Sequence, residues 1–250
     1  MALGVREASE AYERSMRNMA APGPGVCRVC RGFVDEEYET CYVCGFQPRC
    51  LDAVVPITYS EHLGQMHTAL RNYKEGASPA IRANAAVRLV GILWRFLGDH
   101  EACVAAAAGV DSFDAVTIVP SSSLERDEHS AFRIVTEAVE PIQTRLQRAL
   151  RPTERVSGRD FSPDRYEAIQ DVAGRSVLLL DDTWVTGGHA RSASYALKAA
   201  GVDKVGLVVI GRHMRRDYEP VKDSGTTCGD LLDKLPDAFS WTTCAVHQTS

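Results

Sequence analysis

The sequence has no apolar run long enough to cross a membrane. A transmembrane helix needs about 20 consecutive apolar residues, and the most apolar stretch, residues 83–97, is interrupted by Arg88 and Arg95. The opening segment, MALGVREASE, carries charges where a signal peptide has its apolar segment. We therefore expect no membrane association and a cytoplasmic location, where thiols remain reduced.

The sequence also lacks an excess of positive charge and the common nucleotide-binding fingerprints. Its 28 lysines and arginines are outnumbered by 33 aspartates and glutamates, for a net charge of −5, which argues against a general nucleic-acid binder. It contains neither GxxxxGK followed by Ser or Thr nor a GxGxxG after a strand pattern, so it lacks the signatures of P-loop hydrolases and dinucleotide-binding folds. With 45% hydrophobic and 24% charged residues in a chain of 250, the composition is that of a folded globular protein.

Cysteine, by contrast, is plentiful, and four of the eight cysteines have the spacing of a metal site. Cys27 and Cys30 form one Cys-x2-Cys pair, and Cys41 and Cys44 form another after ten intervening residues. Two such pairs supply four thiolates to one tetrahedral ion. We therefore predict a zinc ribbon over residues 24–50, with a short hairpin between the pairs. Because the protein fills all four ligand positions, this zinc is structural rather than catalytic; buried or disulfide-linked cysteines are the alternative.

The other four cysteines have no such spacing. Cys244 and His247 form a Cys-x2-His pair that could provide, with Cys228, a second and partial metal site. Ordinary buried thiols are the simpler interpretation of this group, which consists of Cys50, Cys103, Cys228 and Cys244.

From residue 51 onward, short apolar strand patterns alternate with helical ones. The predicted strands are residues 51–59, 115–119, 177–180 and 205–210, and Pro56 favours an edge position for the first. The predicted helices are residues 61–74, 79–97 with a further Ala-rich helix to 109, 130–150 and 188–200. Apolar strands separated by helices indicate a sheet covered on both faces. We therefore predict an α/β fold with a doubly wound, mostly parallel sheet and a small N-terminal zinc ribbon.

The expected organisation has four parts. They are an N-terminal extension at residues 1–23, the zinc ribbon at 24–50, the α/β core at 51–215 and a C-terminal tail at 216–250.

One segment, RSVLLLDDTWVTGGHAR at residues 175–191, combines an apolar strand, two acids and a glycine turn. The strand places Asp181 and Asp182 at its carboxyl end, the edge at which open α/β sheets bind ligands. The following turn, residues 183–189, leads into a helix whose free N–H groups and positive end favour a phosphate. Carboxylates repel phosphate, but they accept hydrogen bonds from vicinal hydroxyls or bind a cation. We therefore predict a ribose 5-phosphate unit as the ligand; the alternative is a capped helix preceded by two turn aspartates.

The segment VLLLDDTWVTGGH resembles the phosphoribosyl pyrophosphate (PRPP) motif of type I phosphoribosyltransferases, in which a hydrophobic strand and two acids precede a Thr-Gly phosphate loop. With the zinc ribbon and RNYKEG at residues 71–76, the chain is similar to the ComF-like branch of that family, which is linked in bacteria to DNA uptake. The resemblance covers most of residues 24–212. It implies a type I phosphoribosyltransferase fold, and Mg²⁺ bound with the substrate.

The resemblance also implies a role for each matching position. Asp181 and Asp182 hold the ribose hydroxyls and act in catalysis. The 5-phosphate is bound by Thr183, Val185, Thr186, Gly187, Gly188 and His189. Pyrophosphate is bound by Ser121, Ser122, Ser123 and Lys74. A plain loop and a surface lysine are the alternatives for this last group.

The implied activity is transfer of the phosphoribosyl group to an unidentified nucleophile, with release of pyrophosphate. An arginine-rich stretch at residues 145–165 lies where such enzymes have a mobile loop that closes over the substrate, although solvated arginines are the simpler interpretation. The alternative function is a non-catalytic protein that binds PRPP or a nucleotide and acts through DNA or a DNA-uptake partner. The sequence does not indicate the acceptor, and it leaves a homo-oligomer open.

Overall fold

The computed structural model describes residues 2–246, with side chains from residue 4 onward. The helices in this range are α1 (Ala2–Glu10), α2 (Tyr42–Phe46), α3 (Gln65–Glu75), α4 (Pro79–Ala108), α5 (Leu124–Glu128), α6 (Ala131–Glu137), α7 (Gly188–Ala199) and α8 (Cys228–Leu232). The strands are β1 (Ala53–Glu61), β2 (Ala115–Ile118), β3 (Leu150–Pro152), β4 (Tyr166–Ala168), β5 (Ser176–Trp184) and β6 (Lys204–Met214). Single 3-10 turns occur at Glu13–Ser15 and Glu140–Ile142.

The central sheet is parallel throughout and has the strand order β1-β6-β5-β2. Leu178 is in register with Gly206 on one side and with Val116 on the other. β1 lies at an edge, where the missing N–H of Pro56 is tolerated. All four strands therefore direct their carboxyl ends to the same edge, which is where the predicted site residues fall.

Apolar side chains cover both faces of this sheet, which confirms the doubly wound α/β prediction. On one face, Leu180 and Val208 pack with buried residues of α4 such as Leu89. On the other face, Leu179 and Leu207 pack with buried residues of α7. Such strands are buried on both sides, which is why their sequences are continuously apolar rather than alternating.

One continuous helix, α4, replaces the two helices predicted between residues 79 and 109. Ser78 caps its start by accepting a hydrogen bond from the Ile81 amide at 3.3 Å. Gly109 ends it in the left-handed conformation, with φ of 80°. Gly98, at the predicted break, is accommodated inside the helix, because an isolated glycine costs only about 1 kcal/mol there.

The helix predicted over residues 130–150 is wrong beyond its first two turns. α6 begins after the Ser130 cap but ends at Glu137, because Pro141 provides no N–H and its ring clashes with a preceding helical turn. Residues 145–147 instead lie beside β2, where the Val116 amide donates to the Arg145 carbonyl at 2.9 Å. The antiparallel pair of β3 and β4 follows, and it encloses a loop at residues 153–165.

The cysteine-rich segment contains less strand than predicted. The residues between the two cysteine pairs form turns rather than the expected hairpin. An isolated bridge joins Val26 to Phe33 across the first pair, and α2 carries Cys44. Both ends of the described chain pack into the core, through Met16 and Trp241. None of the helices within residues 2–246 is long and apolar enough to cross a membrane.

Candidate functional site

Two adjacent acids lie near the end of β5, in the strand itself rather than in the turn after it. Asp182 is 7% exposed, and its carboxylate accepts hydrogen bonds from the Tyr73 hydroxyl and from Lys74 Nζ, the latter at 2.6 Å. Tyr73 and Lys74 both come from α3. The contact brings the predicted lysine to the predicted acids from more than 100 positions away in the sequence.

The charge of Asp182 shifts the pKa values of Asp181 and Lys74. Burial, and then repulsion from the Asp182 carboxylate, hold the pKa of Asp181 well above its ordinary value. Burial alone would lower the pKa of Lys74, but attraction to Asp182 outweighs burial and the pKa is raised. Lys74 therefore remains a cation, and it compensates one of two carboxylates that repel each other. A bound cation or a pair of hydroxyl donors would relieve the rest of that repulsion.

The turn between β5 and α7 is shaped to expose backbone N–H groups. Gly187 has φ of 78°, in the region that favours glycine, and a Cβ at this position would overlap the buried ring of Trp184. Within residues 2–246, the amides of Val185, Thr186 and Gly187 donate no hydrogen bond. With the free N–H groups of the first turn of α7, they form a site suited to an anion.

A buried carboxylate organises the predicted serine turn after β2. Asp127 is fully buried and accepts a hydrogen bond from the Ser121 amide at 3.2 Å. Arg148 and Arg133 form ion pairs with the same carboxylate, at 2.6 and 3.3 Å. The serine turn is therefore held by interactions that compensate a buried charge, which are costly to break.

Tyr166 connects the serine turn with the start of α7. Its hydroxyl lies 2.9 Å from the Pro120 carbonyl and 2.7 Å from His189 Nδ1. Because a carbonyl only accepts, we infer that the hydroxyl donates to Pro120 and accepts from His189. Burial, and then the charge of Arg165, lower the pKa of His189.

The loop at residues 153–165 lies against the start of α7. A Cβ on Gly188 would overlap the carbonyl of Arg159, so only glycine permits this approach. The Ser162 amide donates to Ser192 Oγ at 2.9 Å, and Phe161 makes an edge contact with Tyr195 of α7. The loop therefore covers the first turns of α7.

Most of the arginine-rich stretch is neutralised internally. Arg145 pairs with Glu101 at 2.5 Å and Arg151 with Glu167 at 2.6 Å, as Arg148 does with the buried acid of the serine turn. These arginines fit the simpler interpretation of structural ion pairs. Arg155 and Arg159 lie on the covering loop, away from these pairs.

The four predicted zinc ligands converge, and their donor set fits the metal. One sulfur from each of Cys27, Cys30, Cys41 and Cys44 lies within 4.8 Å of the others. The Cys30 and Cys41 sulfurs are 3.8 Å apart, and tetrahedral zinc with bonds of about 2.3 Å separates its sulfurs by about 3.8 Å. We call this group the four-cysteine cluster; thiolate ligands select zinc over harder cations.

Arg191 of α7 joins the four-cysteine cluster to the β5–α7 turn. One guanidinium nitrogen, Nη2, donates to Cys44 Sγ at 3.1 Å, and Nη1 donates to the Thr186 carbonyl at 2.7 Å. The guanidinium also lies over the Trp184 ring, 4.8 Å from its centroid. A single cation thus connects a thiol of the cluster with the backbone of the β5–α7 turn.

Arg212 of β6 makes a second connection of the same kind. Nη2 lies 3.7 Å from Cys30 Sγ, and Nη1 donates to the Val185 carbonyl at 3.2 Å. Two cations next to the thiols stabilise thiolates electrostatically, which favours a bound metal. The four-cysteine cluster and the β5–α7 turn therefore form one connected region.

The fold brings some of the predicted site residues together and leaves others apart. Lys74 meets Asp182, and the serine turn reaches the start of α7 through a tyrosine. Thr183 belongs to β5 rather than to the turn, whereas the side chains of Val185 and Ser122 are exposed.

Sequence reasoning missed five residues that organise the site, which are Tyr73, Asp127, Tyr166, Arg191 and Arg212. Tyr73 directly precedes the predicted lysine in RNYKEG, and Arg191 closes the segment that contains the two acids. Those positions offered a local signal. Asp127 lies only six positions from Ser121, but no motif marks it. Tyr166 and Arg212 act across the fold and had no local signal.

The fold and the site define a parallel-sheet α/β protein with paired acids and a glycine turn at the carboxyl edge, next to a four-cysteine cluster. No protein-family model and no curated protein matches the chain.

Similar solved structures include a glutamine phosphoribosylpyrophosphate amidotransferase from B. subtilis complexed with ADP and GMP, at 21% identity and a TM-score of 0.34 over 56% of this chain and 30% of that one. They also include a structure of the allosteric regulatory enzyme of purine biosynthesis, at 15% identity and a TM-score of 0.35 over 72% of this chain and 48% of that one. The chain thus spans less than half the length of either structure.

Proposed function

We propose that the protein binds PRPP with Mg²⁺ and transfers its phosphoribosyl group to a nucleophile, releasing pyrophosphate. The observation that carries this proposal is the arrangement at the end of β5. Asp181 and Asp182 lead within a few residues to Val185, Thr186 and Gly187, whose amides have no hydrogen-bond partner among the described residues. Acids for hydroxyl groups and amides for a phosphate, this close together, match a pentose 5-phosphate.

The rest of the site supplies groups for the other end of the substrate. Lys74 adds a positive charge beside Asp182, and the serine turn contributes hydroxyls at the same sheet edge. Carboxylates together with substrate phosphates are the oxygen ligands that Mg²⁺ prefers. Bound there, Mg²⁺ would neutralise charge on the departing pyrophosphate.

Catalysis in this proposal is electrostatic. Breaking the C1–O bond of PRPP gives a sugar with positive charge shared between C1 and the ring oxygen. The negative charge of Asp182, and that of Asp181 once bound Mg²⁺ offsets the repulsion between the two acids, stabilises that charge. The loop at residues 153–165, which already packs on Gly188, excludes water from the reacting carbon. Arg155 and Arg159, on that loop, can pair with the leaving group.

The binding experiment is calorimetric titration of the full chain with PRPP and Mg²⁺. We expect saturable heat for the wild type. Gly188→Ala should weaken binding by about tenfold, about 1.4 kcal/mol, because the new Cβ displaces the covering loop. Gly98→Ala is the matched control, since a Cβ there meets nothing within 4 Å. No heat with the wild type would contradict the proposal.

A second assay separates an enzyme from a binding protein. Pyrophosphate release is measured with PRPP and a panel of bases and amines. Release that depends on one acceptor supports transfer. Saturable binding with no release under any acceptor would instead support the non-catalytic alternative, in which the bound PRPP is a signal.

A further inference from the structure

A second group of metal-ligating side chains lies between α4 and the C-terminal segment, defined here as residues 239–246. His100 and Cys103 are three positions apart on α4 and so share a face of the helix. Cys244 comes from the C-terminal segment, and one ligand atom of each residue lies within 4.8 Å of the other two. His100 and Cys244 are buried, and Cys103 is half-buried. We call these three residues the His-Cys-Cys cluster.

The partner predicted for Cys244 is therefore different from the one found. The sequence pattern paired it with Cys228 and His247; Cys228 is not part of the cluster, and His247 lies outside the described residues. The two α4 residues come from a distant part of the sequence. Their spacing, His-x2-Cys, is too short a pattern to indicate a metal site by itself.

A hydrogen bond of His100 determines which ring nitrogen faces the thiols. Nε2 lies 2.6 Å from the Trp241 carbonyl, and because a carbonyl only accepts, we infer that Nε2 carries the proton. The lone pair of the neutral ring is then on Nδ1, which lies 3.8 Å from Cys103 Sγ. Metal-binding histidines commonly donate their second N–H to a backbone carbonyl in this way.

The spacing and charge of the donors suit Zn²⁺. Zinc bonds of about 2.1 Å to nitrogen and about 2.3 Å to sulfur, at a tetrahedral angle, separate the two atoms by about 3.6 Å. The 3.8 Å between His100 Nδ1 and Cys103 Sγ is close to that value. Two thiolates and a neutral imidazole cancel the charge of Zn²⁺, so the buried ion adds no net charge to its surroundings.

Contacts that need no metal already hold the C-terminal segment around Cys244. Asn18 exchanges hydrogen bonds of 2.7 and 3.0 Å with the Ser240 backbone. Arg31 donates to the Ala245 carbonyl at 2.9 Å, and Arg95 lies over the Trp241 ring, 4.7 Å from its centroid. The ligands are therefore brought together before a metal binds, which lowers the conformational entropy cost of forming the site.

We propose that the His-Cys-Cys cluster binds a Zn²⁺ ion distinct from that of the four-cysteine cluster, through His100 Nδ1 and the thiolates of Cys103 and Cys244. Binding releases the two thiol protons to solvent. Water takes the fourth position of the ion. The ion fixes the C-terminal segment to α4 and so stabilises the fold.

The test is a zinc count by native mass spectrometry on the full chain, purified with a reductant and excess zinc. We expect two zinc ions per chain for the wild type and one for Cys103→Ser or Cys244→Ser. Cys228→Ser is the control and keeps two, because Cys228 is also buried but belongs to neither cluster. A wild type with one zinc, or a Cys103→Ser variant with an unchanged count, overturns the proposal.

A cobalt titration covers the case in which a serine variant does not fold. Metal-free wild-type protein receives Co²⁺ while the thiolate–cobalt absorption is recorded. An end point at two equivalents supports the proposal, and an end point at one overturns it. A Cys103–Cys244 disulfide in the zinc-loaded, reduced protein would also overturn it, because the disulfide would consume both thiols.

Discussion

The four-cysteine cluster and the His-Cys-Cys cluster differ in what surrounds them. Arg191 and Arg212 connect the four-cysteine cluster directly to the carbonyls of the β5–α7 turn. The His-Cys-Cys cluster joins α4 to the C-terminal segment, and the backbone carbonyl of Trp241 orients its histidine. A metal in the four-cysteine cluster would therefore support the candidate active site. A metal in the His-Cys-Cys cluster would hold the C-terminal segment on α4.

The clusters also differ in how they are assembled. All four ligands of the four-cysteine cluster come from one short stretch of sequence, and the spacing alone identified them. The ligands of the His-Cys-Cys cluster meet only after the C-terminal segment packs on α4. One residue lies between the clusters: Arg31, in the loop after Cys30, donates to the carbonyl of Ala245, next to Cys244. Similar metal ligands can therefore serve two different purposes within one fold.

The largest expected effect is on the rate of pyrophosphate release, after substitution of Asp182 in the candidate site next to the four-cysteine cluster. Asp182→Asn should lower the rate of pyrophosphate release by about 10²–10³, because it removes the charge that faces the developing positive sugar. The rate is measured with saturating PRPP and Mg²⁺. Asp203→Asn, an exposed acid at the opposite end of the sheet, is the matched control and should turn over like the wild type. Equal rates for both variants would remove Asp182 from the mechanism.

Disrupting the four-cysteine cluster should weaken PRPP binding although no cysteine touches the substrate. Cys44→Ser removes a metal ligand and the sulfur that Arg191 contacts at 3.1 Å. We expect a 10–100-fold loss of affinity, about 1.4–2.7 kcal/mol, with faster deuterium uptake at residues 183–189. Deuterium uptake identical to that of the wild type in this turn would show that the two regions are uncoupled.

Disrupting the His-Cys-Cys cluster should lower the stability of the fold and leave PRPP binding nearly unchanged. With free zinc buffered about tenfold above the dissociation constant of the site, Cys244→Ser should lower the free energy of unfolding by about 1.4 kcal/mol. PRPP affinity should stay within about twofold of the wild type, since ΔΔG values at separated sites are usually independent. Denaturant unfolding and calorimetry on the same preparations check both. A loss of affinity as large as that of Cys44→Ser would abolish the distinction between the clusters.

A group of three histidines outside both clusters also makes the stability of the fold depend on pH. The rings of His62, His67 and His213 lie 5.0–5.7 Å apart. Burial, and then the neighbouring histidines and the charges of Arg212 and Arg215, lower the pKa of His213 to about 4. The unfolded chain, with a histidine pKa of about 6.5, binds more protons between these two values. Stability is therefore lost as the pH falls from about 6.5 to 4.

His213→Gln should remove about 1 kcal/mol of that pH dependence, a value reduced to allow for the partial exposure of the ring. The measurement is the free energy of unfolding at pH 7 and pH 5 for both proteins, with zinc held constant. Metal loss at low pH affects both proteins alike and cancels in the difference. An unchanged slope would show that His213 is protonated as readily in the fold as in the unfolded chain.

Much of the fold was predictable because its signals are local. The apolar runs that became β2, β5 and β6 are typical of strands buried on both faces, and Ser78 and Gly109 mark the two ends of α4. The helix predicted over residues 130–150 failed because helical periodicity was followed through Pro141. The hairpin between the cysteine pairs failed because polar residues after a knuckle satisfy their backbone in turns as readily as in strands.

In the candidate site, too, the residues that were predicted are those with a local sequence signal. The two acids and the glycine turn are adjacent in sequence and were found together. The residues that hold them come from elsewhere: Tyr73 from α3 and Arg212 from the end of β6. Lys74 was predicted as a pyrophosphate ligand, but its ion pair with Asp182 was not predicted. No pattern in one sequence records which distant side chain will compensate a buried charge, because that choice depends on how the helices pack on the sheet.

The central claim is that the end of β5 and the start of α7 bind the pentose 5-phosphate of PRPP, and a crystal structure of the full chain with PRPP and Mg²⁺ tests it most directly. We expect the 5-phosphate on the amides of residues 185–189, with the ribose hydroxyls on Asp181 and Asp182. Ordered PRPP bound elsewhere on the molecule, with this turn left empty, would contradict it.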